Sequence, residues 1–490
     1  NMSADKDIVI TGMSGRFPMS DNIDEFAKNL FDGIDMVSED DSRWPLDLYG
    51  ICPRMGKVRN VDKFDGFFFG LMQQLVDEID PQSRILLETT YEAIVDSGIN
   101  PQSLRGTRTG VYIGVSIYAC IEGYPEELQP DLRSNKQQTL LQTMGNQKGL
   151  QANRVSYVFD FKGPSMVVDT ACSASLAAFN LAINDLKLGN VEYAIVGGTH
   201  MTFEPFLNQI GQEVSLCSPR GVSAVLDQNA DGFVKADGVA CLLLTHRQRA
   251  RRVYATALAS RLNIDGKKTK GMFFPASESQ QDLMVMAYKE AGVDPLKVNL
   301  IEAHCTGTRA GDPQEVKAIY NAYCALPGRT EPLPLGLLKS NIGHTEGCSG
   351  IAAIIKVLIA FENECIPPNL NLKQIKDECK QYCPPLYPNT EKLPYTPGIA
   401  GINNFGIGGL NGHVLIECNH KVNDDGTFRI AETVPRIINV CARTEEGIKY
   451  MMDFIQTNPQ KISREFLALL TDTMRVEPSV NSAGFPYRGN

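Results

Sequence analysis

The chain has 490 residues, with 47 Lys and Arg against 57 Asp and Glu, a net charge of −10, and 43% apolar residues. These proportions describe an ordinary globular protein and exclude a disordered or collagen-like chain. They also argue against a dedicated binder of nucleic acid or anionic membrane, and no run reaches the roughly 18–20 uncharged apolar residues of a membrane span. The N-terminus, NMSADKDIVITG, has neither the basic nor the apolar segment of a secretory signal, and Asn1 ahead of Met2 reads as a residue left by a tag. Its 13 cysteines are scattered, with no CxxC pair and no Cys/His pair at zinc-finger spacing. That usage fits reduced thiols and a cytoplasmic protein.

Short apolar runs alternate with helical patterns. Asp7–Thr11 (DIVIT) reads as a strand ending at Gly12, and Gly110–Val115 (GVYIGV) as another. Ser165–Val168 leads into a helical segment after Cys172, with Leu176, Phe179, Ile183 and Leu186 on one face and Gly189 at its end. Tyr193–Val196 follows as a strand ending in Gly197-Gly198. Val239–Leu244, Val298–Ala303, Leu333–Leu338 and His413–Glu417 are further short apolar runs. The alternation predicts a layered α/β fold with helices covering sheets. Asn419–Thr433 is polar and reads as a linker, followed by a strand at Arg436–Val440. Thr444 is placed to cap a helix bearing Ile448, Met451, Met452 and Ile455, and Phe466–Leu470 suggests a further short helix. Residues 1–420 therefore read as one large body and 421–490 as a small α/β module. No repeat is visible at the level of residues.

Val168–Ser175 reads VDTACSAS, a strand running into a tight small-residue turn with Cys172 at the start of a helix. Backbone N–H groups and the helix dipole there are expected to lower the thiol pKa. A thiolate is both a nucleophile and a leaving group, which suits reversible acyl transfer between thioesters. The other reading makes Cys172 one more small core residue. The histidines favour the first. Of six in the chain, His304 and His344 lie in polar, Gly-rich text after apolar strands, in EAHCTGT and KSNIGHTEG. A fourth element, GINNFGIGGLNGHV at Gly401–Val414, lacks the third glycine and the strand–helix unit of a dinucleotide fingerprint. It reads instead as a turn that presents backbone donors to an oxyanion.

With these four elements in order, the sequence resembles the β-ketoacyl synthases, the condensing domains of fatty-acid and polyketide synthases, over essentially its whole length. The likeness extends to Ile8–Pro18 (IVITGMSGRFP), Asp80–Gly98, Ala152–Ser165 and Arg251–Ala257, which fit the animal type I enzymes. The C-terminal module is similar to the linker between ketosynthase and acyltransferase in those synthases. The resemblance implies a thiolase-like layered fold of two related α/β halves with a small C-terminal α/β linker domain.

It also implies roles. Cys172 would accept the acyl group, and His304 and His344 would polarise the malonyl thioester carbonyl and assist decarboxylation. Lys339 and Glu315 resemble the charged pair that orders the histidines. Thr306 and Thr308 match residues that hydrogen-bond the phosphopantetheine arm. The N–H groups of Cys172 and Ile407 would form the oxyanion hole, with Phe405, Ile407 and Asn404 in the gating segment. No cofactor or metal is expected on this domain, since substrates arrive on the phosphopantetheine of an acyl carrier protein. The implied partners are that carrier, an acyltransferase domain following in a longer parent chain, and a second copy paired through the strand at about Gly163–Asp169. No GxSxG acyltransferase elbow occurs in the sequence.

Some positions depart from the family pattern. Cys305 stands where Gly is expected, Asn404 where Ser is usual, and Ile407 where the family has Phe. Ile117-Tyr118-Ala119 replaces the small or acidic residues usual in the animal fatty-acid enzyme. A β-branched gate leaves room for branched acyl groups, which favours an animal fatty-acid-synthase-like polyketide synthase, using malonyl or methylmalonyl units, over an animal fatty-acid synthase. An inactive chain-length-factor-like partner is disfavoured because Cys172, His304 and His344 are all present. A thiolase or a chalcone-synthase-like enzyme is disfavoured by the two histidine motifs with a lysine. His413 matches a structural position.

Overall fold

The computed structural model describes residues 7–116, 136–203, 205–419, 440–458, 465–467, 469–470 and 486–489. Ile117, Tyr118 and Ala119, nearly all of the expected linker, and most of the expected strand at 436–440 lie outside the described residues.

Eleven strands form one mixed sheet. In chain order they are β1 (Ile8–Arg16), β2 (Thr109–Val115), β3 (Ser165–Val168), β4 (Tyr193–His200), β5 (Gly238–His246), β6 (Ala255–Ile264), β7 (Val298–Glu302), β8 (Leu333–Gly336), β9 (Leu386–Tyr387), β10 (Ile399–Phe405) and β11 (Leu410–Cys418). Across the sheet the order is β9-β8-β7-β10-β11-β6-β1-β5-β4-β2-β3. One arrangement occurs twice in this order. β2 runs parallel to β3 and β4, while β5 is antiparallel to β4 and to β1. In the second half β7 runs parallel to β8 and β10, while β11 is antiparallel to β10 and to β6. The halves join where β1 pairs antiparallel with β6. They are the two related α/β halves that the sequence led us to expect.

Two helices hold equivalent places in the halves. α2 (Ala174–Lys187) follows β3, and α4 (Ser349–Asn363) follows β8. Each packs against strands of both halves and against the other. Every residue of α4 from Ser349 to Phe361 is buried, as an interior helix that is apolar all round must be. Each fully buried Ile or Leu there contributes about 1.5–3 kcal/mol. The one charge on this stretch, Lys356, pairs with Glu302 at 2.8 Å. On α2, Leu176, Phe179, Ile183 and Leu186 are buried as the spacing predicts, and Gly189 follows the helix with φ +73°.

Two strands run through glycines that were expected to end them. β1 continues past Gly12 to Arg16, and β4 continues past Gly197-Gly198 to His200. The reason is close packing. A Cβ on Gly12 would lie 2.0 Å from the Ala93 carbonyl oxygen of helix α1 (Pro81–Asp96), and one on Gly198 would lie 2.7 Å from Cα of Cys348. These glycines admit neighbouring backbone rather than a turn.

The small C-terminal unit pairs β12 (Val440–Ala442) with β13 (Tyr487–Gly489) beside helix α5 (Glu445–Thr457). Thr444 caps α5 as predicted, its hydroxyl accepting the Gly447 N–H at 3.1 Å. Arg443 ties this unit to the main body through Asp65 at 2.8 Å and the face of Phe67. Among the described residues no helix is long and apolar enough to cross a membrane.

Candidate active site

Cys172 lies in the loop between β3 and α2, just after Ala171, whose φ is +55°. Ser349 Oγ donates to the Cys172 carbonyl at 3.0 Å, and Ser173 Oγ to the Thr170 carbonyl at 2.8 Å. The Gly-rich turn presses on this loop from the other side. A Cβ on Gly406 would lie 2.5 Å from the Thr170 carbonyl oxygen. The expected depression of the thiol pKa is not found. Burial, and then Glu346, push the Cys172 thiol up to about 12, against the pull of Lys339 and Lys235. The helix accounts for this outcome. Ala174 is the first helical residue and Ser173 the cap, so Cys172 stands outside the first turn and desolvation outweighs the dipole.

His304 follows β7 and His344 follows the short helix Lys339–Ile342 after β8. Their rings meet edge to face, with centroids 5.4 Å apart at 82°. Phe405 lies 5.8 Å from the ring of His304, and Phe233 lies 4.9 Å from that of His344. Burial, reinforced by Lys339, depresses both imidazoles well below the usual histidine range, so both are neutral near pH 7. The His344 backbone is pinned by its N–H to Val234 O at 2.7 Å and by Ala236 N–H to its carbonyl at 3.0 Å. Neither ring nitrogen of His344 has a hydrogen-bond partner among the described residues. Two neutral rings in contact, one of them with both nitrogens unpaired among the described residues, form a site for charge that develops during a reaction.

Glu315, on helix α3 (Gly311–Ile319), is buried beneath His304. Its two oxygens accept the backbone N–H groups of His304 and Cys305, each at 2.7 Å, and Asn403 Nδ2 donates to it at 2.9 Å. It makes no ion pair with Lys339, and the two charges act on each other through space. Among the described residues no carboxylate lies within ion-pair distance of Lys339. Burial pulls the Lys339 ammonium down, and Glu315 and Glu302 raise it through space. Backbone donors and Asn403 hold the Glu315 carboxylate beneath His304. Asn403 continues the network: His413 Nδ1 lies 2.7 Å from its Oδ1, and Tyr323 OH lies 2.8 Å from His413 Nε2. The structural place given to His413 agrees with this.

Asn404 Nδ2 reaches both Ser349 Oγ, at 2.9 Å, and His304 Nδ1, at 3.2 Å. Cys172 and His304 are thus linked through Ser349 and Asn404. Thr306 and Thr308 lie in the loop after His304, with their hydroxyls 3.2 Å apart, and Asp312 holds the N–H groups of Thr306 and Gly307 at 3.1 and 3.0 Å. Ile407 sits at the tip of the turn between β10 and β11 and is 43% exposed, whereas Phe405 is buried.

Sequence reasoning missed several members of this site. Lys235 pairs with Glu346 at 3.0 Å, and His200 Nδ1 lies 3.8 Å from the same carboxylate. Burial acts to raise the Glu346 carboxyl, but His200, Lys235 and His344 together hold it at about 2. Ser349 and Asn403 were missed as well. One signal was present: Lys356 is a lone charge in the apolar run SGIAAIIKVLIAF, and such a residue requires a buried acid, here Glu302 at the end of VNLIE. Among the described residues no group of three or more His, Cys, Asp or Glu is placed to hold a metal ion.

Comparison with known proteins bears on this geometry. Residues 5–250 match the beta-ketoacyl synthase N-terminal domain, residues 254–373 the beta-ketoacyl synthase C-terminal domain, and residues 382–490 the ketoacyl-synthetase C-terminal extension. The chain is 40% identical over 358 residues to a fatty acid synthase of Anser anser anser, covering 73% of this chain and 99% of that sequence. It is 36% identical over 439 residues to the hybrid PKS-NRPS synthetase iliA of Neonectria sp. (strain DH2), covering 86% of this chain and 10% of that protein. Among solved structures, the ketosynthase from module 6 of the bacillaene synthase from Bacillus subtilis 168 superposes with a TM-score of 0.80 at 30% identity, over 92% of this chain and 78% of that one. The fold is thus the thiolase-like fold of those ketosynthases.

Proposed function

Since the chain belongs to the β-ketoacyl synthase family, enzymes of the acyltransferase class that form carbon–carbon bonds, we propose that its reaction is a two-stage decarboxylative Claisen condensation centred on Cys172. In the first stage the Cys172 sulfur attacks an acyl thioester, the acyl–sulfur bond to the carrier breaks, and the carrier thiol leaves with the proton. In the second, a malonyl or methylmalonyl thioester loses CO2. The electron pair of the broken bond becomes an enolate, whose oxygen takes hydrogen bonds from His304 and His344. The enolate carbon attacks the acyl-Cys172 carbonyl, a carbon–carbon bond forms, and the Cys172 sulfur leaves and is reprotonated.

The observation that carries this reading is the pair of neutral imidazoles, 5.4 Å apart, tied by Asn404 and Ser349 to the backbone of the nucleophile. Neutral donors fixed in a dry site stabilise an enolate without reorganising. Lys339 supports the neutrality of both rings, and Glu315 holds the backbone that carries His304. The N–H groups of Cys172 and Ile407 serve the tetrahedral oxyanion, and Thr306 and Thr308 receive the phosphopantetheine arm of an acyl carrier protein. The domain itself uses no cofactor.

We place the domain in an animal fatty-acid-synthase-like polyketide synthase, on the strength of Ile407 and Asn404. The second reading, the same domain of an animal fatty-acid synthase, is favoured by the 40% identity to the goose protein. Either parent is cytoplasmic and supplies a following acyltransferase domain, with the boundary between ketosynthase and linker near residue 420. The protein works as a homodimer. Among the described residues β3 is the terminal strand of the sheet, and Met166 on it is 37% exposed, an edge that a second copy would cover.

The deciding experiment supplies acyl- and malonyl-carrier thioesters and follows product mass and CO2 together. A β-ketoacyl product formed through acyl-Cys172 is expected. Stable acylation of another cysteine, with Cys172 untouched, would sink the assignment.

A further inference from the structure

Asn404 is the last residue but one of β10, and its side chain is buried between the two catalytic loops. The polarity of its contacts follows from Ser349. The single hydroxyl hydrogen of Ser349 is spent on the Cys172 carbonyl at 3.0 Å. Toward Asn404, 2.9 Å away, Ser349 Oγ can therefore only accept, so the amide nitrogen must face it. The second amide hydrogen then points at His304 Nδ1, 3.2 Å away. A ring nitrogen that accepts a hydrogen bond carries no proton. The amide oxygen left over is buried without a partner among the described residues, beside Gly350, where a Cβ would stand 2.6 Å from it.

We propose that Asn404 is a positioning residue that locks His304 in the tautomer protonated on Nε2, so that Nε2–H is the donor turned to the substrate. The use made of that donor rests on the ketosynthase reading; the tautomer itself does not. Two further contacts support the lock. Glu315 fixes the His304 backbone at 2.7 Å, and burial with Lys339 keeps the ring neutral, so one nitrogen must be bare. A serine at this position has one hydrogen and cannot donate to Ser349 and His304 at once. Asparagine supplies two donors from one atom.

The test is long-range 1H–15N correlation on the whole chain labelled with 15N-histidine, the His304 signals being those lost in His304→Gln. The expected pattern is a bare Nδ1 and a protonated Nε2. Asn404→Asp, of the same shape but with only acceptors, is expected to place a proton on Nδ1. In Asn404→Leu, malonyl decarboxylation is expected to fall by about tenfold, and by more than acylation of Cys172 falls. A protonated Nδ1 in the unsubstituted chain overturns the proposal, as does an unprotonated Nδ1 in Asn404→Asp. If the tautomer is as stated but the unsubstituted chain decarboxylates nothing, the lock stands and the ketosynthase reading falls.

Discussion

Glu315 holds His304 by its backbone and not by its ring: one carboxylate oxygen accepts the His304 N–H at 2.7 Å, while the other takes the N–H of Cys305. Glu315→Ala would leave those two donors and the Asn403 amide unmatched in the interior. Each unsatisfied buried group costs about 1–3 kcal/mol. A loss of about 3–5 kcal/mol is expected from urea unfolding. Glu315→Gln keeps one acceptor and should lose about half as much. A loss below about 1 kcal/mol for the alanine variant would show that Glu315 does not anchor the loop.

Cys172 titrates in the direction opposite to that expected of a helix-start thiol. With its pKa pushed up to about 12, the thiolate fraction grows with pH throughout the neutral range. Alkylation by iodoacetamide, read at Cys172 by mass spectrometry, should rise about tenfold per pH unit between roughly pH 6 and 9. A plateau near pH 7 would indicate a depressed pKa. Cys172→Ala should abolish acyl loading and condensation together.

His304→Ala and His344→Ala should divide the two stages. Each removes one donor to the enolate, and losing a positioned donor costs about 10²–10³ in rate at comparable sites. Decarboxylation of malonyl carrier is expected to drop by that factor, with acylation of Cys172 much less affected. Equal loss in both stages would refute the division of labour.

Ile407 is the residue on which the choice of parent rests. Its branch at Cβ restricts χ1, and it has less bulk than an aromatic gate. Ile407→Phe should shift the ratio of branched to straight acyl turnover toward straight chains by about tenfold. An unchanged ratio would mean that Ile407 is not the selector. Phe405, buried against His304, then becomes the residue to substitute next.

Much of this architecture was legible in the residues, because apolar runs and helical spacing report which faces are buried. The α2 stripe and the Thr444 cap follow directly from such patterns. Glycine misled at Gly12 and Gly198, where a strand continues because another element needs the space of a side chain. The site motifs were legible as motifs, but their wiring was not. The resemblance pairs Glu315 with Lys339, yet the acid accepts hydrogen bonds from backbone N–H groups, which no sequence pattern displays. The thiol pKa was misjudged because the sequence reveals proximity to a helix start and not the extent of desolvation.

The twofold order of the strands was expected from the family resemblance and from no repeat of residues, and its consequence reaches beyond architecture. The half containing β1–β5 carries Cys172 and the other half both histidines, so on the proposed mechanism neither suffices alone. α4, like α2, begins beside a cysteine, but Cys348 is sealed from solvent and packed against β4. On that mechanism the two halves divide the labour, one offering the sulfur and the other the donors. The seam where β1 pairs with β6 therefore has to hold the thiol of one half in register with the imidazoles of the other.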